Sequence, residues 1–261
     1  MVPTIPGFLR LPVEIRQQIY HYLLAQNFQS RSVDMTVRQR HGGYKLQGLE
    51  SIQGLVFVSR TFHDEVLRYC FSRFNFFLHN GSESIRFVVR EFYRQIGAEN
   101  RKLVKYITIP KFSIDRVIMH PSNMVALFAS YQARSMQLLD EMQGAFALLE
   151  RFPALEELDL GLDTYEATRL SDCRYHDRNV QAHPMTRNKR IIQGHGRAYD
   201  FYIRDALQEA RGLSVRVTIG IWWTSYFEVS LDTDKKEARE EFLHRIREDI
   251  APVRVVCKGI M

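Results

Sequence analysis

Three groups of residues in this chain could do chemistry. Between residues 164 and 197 fall Arg169, Arg174, Arg178, Arg187, Lys189, Arg190 and Arg197, with His176, His183 and His195 among them. Such a run could neutralise phosphates, and each contact would weaken as salt rises. Arg187, Lys189 and Arg190 are the candidate anion-binding residues. The whole chain carries 36 basic against 30 acidic residues, a net charge of +6, so its surface is mixed rather than polycationic. A solvated surface loop is therefore the plainer expectation for 164–197, and nucleic acid is not the expected partner. In the second group, Cys173, His176 and His183 have metal-binding side chains but lack an evident fourth ligand, and no Cys-x-x-Cys occurs, so no metal site is expected. Third, Glu156, Glu157, Asp159 and Asp163 invite a metal or acid/base role. On a strand, however, Glu157 and Asp159 point one way and Leu158 and Leu160 the other, which is ordinary amphipathic alternation. Gly194-His195-Gly196 is too short to cradle a phosphate, and Gly-x-Ser-x-Gly, Walker A, Gly-x-Gly-x-x-Gly and His-Glu-x-x-His are all missing from the sequence. We expect no catalytic residue, no cofactor and no enzymatic activity.

The elements around these groups are more informative. Leu11, Ile15, Ile19 and Leu23 recur every fourth residue and predict one apolar stripe on a helix. Pro12 suits the first helical position, where its missing N–H would have no partner, and Glu14 suits the positive end of the helix dipole. A helix of about three turns is marginal alone in water. The stripe must therefore be covered by the rest of this chain, by a partner, or by both. Leu55, Val58, Phe62 and Val66 step by three and four and predict a second helix over residues 55 to 70.

Leu11-Pro12-Val13-Glu14-Ile15-Arg16, with Ile19-Tyr20 and Leu23-Leu24, resembles the first helix of an F-box. The Glu-Ile-Arg variant is most similar to the F-box-like, or two-EXR, domains common in fungal proteins. Leu55 to Leu67, with Val58-Ser59-Arg60 and the acidic Glu65, resembles a later F-box helix. The resemblance covers roughly the first 110 residues and departs from the family in two places. Residues 25–57 form a longer connection than an ordinary F-box has, and Thr61-Phe62-His63 stands where a second Glu-x-Arg would be. The resemblance implies that Leu11, Pro12, Ile15, Ile19 and Leu23, with Val58 and Phe62, form a face for a Skp-family adaptor. It further implies that the rest of the chain selects an unknown protein substrate for a cullin-type ubiquitin ligase.

The remainder alternates helices and strands. Ser32–Val37 and Tyr44–Leu46 flank the turn signal His41-Gly42-Gly43 and predict an inserted hairpin, with a disordered loop as the alternative. Phe71 to Leu78 reads as an aromatic strand, and Ser82 as the cap of a helix that Gly97 stops. Leu103–Ile109 reads as a strand ended by Pro110, followed by a helix over 135–151. Leu155 to Leu162 resembles a leucine-rich-repeat strand. Val215, Val217, Ile219 and Ile221 alternate as a strand, with Tyr226–Leu231 as its expected hairpin partner. A charged helix over 235–248 and a strand over 253–256 close the chain.

No apolar run approaches the ~18 residues of a membrane span, and without a basic stretch followed by a continuous apolar one near its start, the chain is not expected to be secreted. Cys70, Cys173 and Cys257 are few and far apart, as in an intracellular protein, cytoplasmic or nuclear. The expected fold is α+β: an F-box-like helical module over residues 1–80 packed on a mixed α/β layer over 81–261. That layer is either a degenerate leucine-rich-repeat-like array or, as we expect, a single sheet without true repeats.

Overall fold

The computed structural model describes residues 7–27, 32–40, 43–47, 60–79, 84–112, 139–163, 204–223, 240 and 243–260. A 3-10 turn (Gly7–Arg10) leads into helix α1 (Val13–Asn27). Strands β1 (Ser32–Arg40) and β2 (Gly43–Gln47) follow, then α2 (Arg60–Arg73), β3 (Asn75–His79) and α3 (Ile85–Ile96). A single helical turn (Ala98–Arg101) precedes β4 (Tyr106–Phe112), α4 (residues 139–149) and β5 (Glu157–Asp163). Last come α5 (Arg204–Gln208), β6 (Arg216–Trp223), α6 (residues 243–249) and β7 (Arg254–Ile260).

The seven strands among the described residues form one sheet in the order β2-β1-β3-β4-β5-β6-β7. Among these strands only β2 is antiparallel, paired with β1; β3 pairs parallel with β1, and from β4 on each strand pairs parallel with the one before it in the chain. Right-handed crossovers between successive parallel strands place the connecting helices on the same side of a sheet. The core has that form. Alternate strand residues such as Phe76, Ile107, Leu158 and Ile219 meet Phe92 of α3, Met142 of α4, Leu207 of α5 and Ile246 of α6 in one cluster.

The opposite side of the sheet is polar. One row crosses all the parallel strands in register: Asp34, Phe77, Thr108, Asp159, Thr218 and Arg254. Bonds between strands join its charges, with Lys258 donating to Asp159 (2.7 Å) and Arg216 to Glu157. Asn75 and Thr108 hydrogen-bond at 2.9 Å. The alternation expected for Glu157 and Asp159 therefore holds, and each carboxylate has a basic partner.

The structure differs from the sequence expectations in several places, each with a local cause. The hairpin at residues 32–47 is not a free insertion, because β1 also pairs with β3 and joins the main sheet. Phe71 belongs to α2, whose end runs on through the Phe74 N–H donating to the Cys70 carbonyl (3.0 Å), and its ring stacks on Phe76 at 5.1 Å. Ser84, not Ser82, caps α3, its Oγ accepting from the Phe87 N–H at 3.2 Å. Gly97 ends that helix with φ 82°, a left-handed value that glycine adopts without strain. Pro110 lies inside β4, where a register shift between Ile109 and Phe112 removes the need for its N–H. Both edges of β6 are occupied by β5 and β7. Its expected partner, Tyr226–Leu231, lies outside the described residues, as do the side chains of Trp222 and Trp223.

Candidate docking site on the first helix

Helix α1 begins after Pro12, whose carbonyl accepts the first helical bond from the Arg16 N–H (3.1 Å), and Glu14 sits in its first turn. The apolar stripe read from the sequence does not face the core. Leu11 is 36% exposed, Ile15 40% and Leu23 36%, and Val13 at the start of α1 is 43% exposed; Pro12 is exposed and Ile19 half-buried. The inward stripe lies one residue round the helix. Tyr20 and Leu24 are 1% and 0% exposed, and the Arg16 side chain 13%. These three residues also step by four. An aliphatic stem and an aromatic ring can cover as much surface as leucine, so α1 carries two stripes with the same step, and the buried one meets a long-range partner.

That partner is Glu65 on α2. Arg16 Nε donates to Glu65 Oε2 (2.8 Å) and Nη2 to Oε1 (2.6 Å), the two-pronged geometry a guanidinium makes with a carboxylate. Tyr20 Oη donates to the same carboxylate at 3.0 Å. The remaining Arg16 nitrogen, Nη1, reaches the carbonyls of Leu9 (3.2 Å) and Leu11. One guanidinium thereby ties together the entry turn, α1 and α2. Arg16 and the Tyr20 hydroxyl hold the Glu65 carboxyl below the usual carboxylate range. Burial, with the bond to Glu65, pushes the Tyr20 phenol up.

Aromatic packing completes the joint. Phe62 of α2 meets Tyr20 edge-on at 5.3 Å, and Phe8 of the entry turn touches both rings at 5.8 and 5.1 Å. Phe62, expected on the adaptor face, is instead 8% exposed and fastens α2 to α1, because the Phe8 and Tyr20 rings enclose it. The structure thus brings together the two motif stretches, at α1 and at Phe62 to Glu65, and leaves Leu11, Pro12, Ile15 and Leu23 on the outside. Val58, Arg187, Lys189 and Arg190 lie outside the described residues, as do Cys173, His176 and His183. Sequence reasoning gave no role to Arg16 or Glu65. The signal was present, since both belong to motif positions, Glu-x-Arg and the acid after Val-Ser-Arg, that periodicity does not explain.

Elsewhere, Glu91 of α3 is a buried carboxylate. Burial pushes its pKa up, but bonds from Arg94 (2.8 Å) and Gln95 (3.0 Å) and the nearby arginines outweigh this and hold it below the usual range. Among the described residues no group of three or more His, Cys, Asp or Glu is placed to hold a metal ion, and no helix is long and apolar enough to cross a membrane. Comparisons with protein-family models, curated proteins and solved structures find no match to this chain.

Proposed function

We propose that this chain is a non-enzymatic interaction protein of the F-box-like, two-EXR kind, which docks a Skp-family adaptor through the outer face of α1. In this reading it works inside the cell and presents a protein substrate to a cullin ubiquitin ligase. One observation carries the reading: Leu11 and Ile15, one turn apart, are exposed at the start of a helix whose other side is held by the Arg16–Glu65 pair, with Leu23 exposed on the same stripe two turns on. Grouped exposed aliphatic side chains on an ordered helix are the usual mark of a protein interface. Support for a separate substrate-binding region comes from the sheet. Its parallel strands follow one another in chain order, as in a leucine-rich-repeat-like layer, and the side opposite the helices among the described residues carries a mostly polar row from Asp34 to Arg254.

The exposure of Ile15 makes the reading directly testable. A Leu11→Asp/Ile15→Asp variant removes the docking face without opening the core, so its melting temperature should stay close to the parent's, as surface changes usually cost within about 0.5 kcal/mol each. Light-scattering size analysis of the full chain with a Skp-family adaptor should show a stoichiometric complex that the variant loses. A well-folded parent that forms no complex overturns the reading.

A further inference from the structure

We infer that Glu65 is the positioning residue of the α1 docking face: it touches no partner itself, but by binding Arg16 and Tyr20 it selects which side of α1 faces outward. The inference rests on the docking reading for its purpose and on geometry alone for its mechanism. Helix α1 carries two stripes with the same four-residue step, and hydrophobicity favours burying the wrong one. Leu11, Ile15, Ile19 and Leu23 are all aliphatic, whereas Arg16, Tyr20 and Leu24 include a charge and a hydroxyl. A short helix free to roll would turn its aliphatic side toward α2. The observed orientation is opposite, and the polar groups that oppose the roll converge on one carboxylate. Glu65 accepts from Arg16 Nε, Arg16 Nη2 and Tyr20 Oη, all at 3.0 Å or less. Arg16 Nη1, turned to the carbonyls of Leu9 and Leu11, holds the start of the helix in the same setting. Without Glu65 the Arg16 charge is left part-buried with no counter-ion, and rotation of α1 relieves it.

The test compares the full chain with Glu65→Gln, and with the exchanged pair Arg16→Glu/Glu65→Arg, by amide hydrogen exchange and by adaptor binding. Local opening reports on α1 separately from the sheet, because exchange measures each region's own stability. In Glu65→Gln, α1 amides should exchange faster by on the order of tenfold to a hundredfold while β4, β5 and β6 keep their protection. Adaptor affinity should fall with it, and the exchanged pair should recover at least part of both. Unchanged α1 protection in Glu65→Gln overturns the inference, as does loosening of α1 and the sheet together, which would make Glu65 a general stabilising residue. A parent chain that binds no adaptor removes the docking reading alone. The exchange comparison then still decides whether Glu65 orients α1.

Discussion

Glu65 makes the behaviour of α1 depend on acid. Its folded-state pKa lies below the ordinary carboxylate value, so near that value the unfolded chain binds more protons than the folded one. The stability this group contributes is fully present above the ordinary carboxylate pKa, about 4.3, and is lost as pH falls through the lower folded value. A plot of melting temperature against pH should therefore fall less steeply on its acid side in Glu65→Gln than in the parent. Glu91, also held low, leaves part of the slope in both. Thiol chemistry gives a second prediction at this scale. Burial pushes the Cys70 thiol up to about 12, whereas Cys257 is exposed on β7. A thiol reagent followed by peptide mass analysis should modify Cys257 in the native protein and reach Cys70 only on unfolding. Which residues of α1 face inward was not legible in the sequence. Arg16 counts as polar in any periodicity, and its role depends on a residue 49 positions away.

At the level of elements, the close approach of β4 and β5 sets a strict requirement. A Cβ at Gly161 would lie 1.7 Å from the Pro110 carbonyl oxygen, which is backbone and cannot move aside. Gly161→Ala should therefore force the two strands apart and destabilise the fold by at least about 1–3 kcal/mol, read from a denaturant midpoint. At the paired position in β6 the neighbour is the side chain of Lys258, 2.6 Å away at Cγ. Gly220→Ala should cost less, since a lysine stem can swing off at the expense of its bond to Asp159. Strands such as β5 and β6 were legible because their apolar residues alternate. The bounds of α2 and β3 were not, since a run of phenylalanines fits either period and only the ring pairing of Phe71 with Phe76 separates them. Pro110 likewise gave a stop signal that the bulge in β4 made irrelevant.

For the molecule as a whole, the sequence suggested a helical module to about residue 80 and an α/β region beyond it. The mixture of helices and sheet was legible, but pairing between distant strands was not, because no local pattern shows that β3 lies beside β4. Those two strands pair in register from Asn75–Tyr106 to Phe77–Thr108, and the Phe76 ring meets Phe92 at 5.4 Å across the same point. A chain of residues 81–261 alone would lose β1, β2 and β3 and leave the edge of β4 open. We expect that fragment to associate through this edge or to melt without a sharp transition in calorimetry, while the full chain melts cooperatively.

The order of the strands also bears on how the chain is made. From β4 on, each strand pairs with the strand synthesised just before it, while β3 pairs with β1, whose outer side β2 has folded back to cover. A nascent chain leaving the ribosome can thus add one layer at a time without waiting for a segment still to be translated. The advancing margin of the sheet is covered as each new strand is made, which shortens the period in which that sticky edge could trap a neighbour.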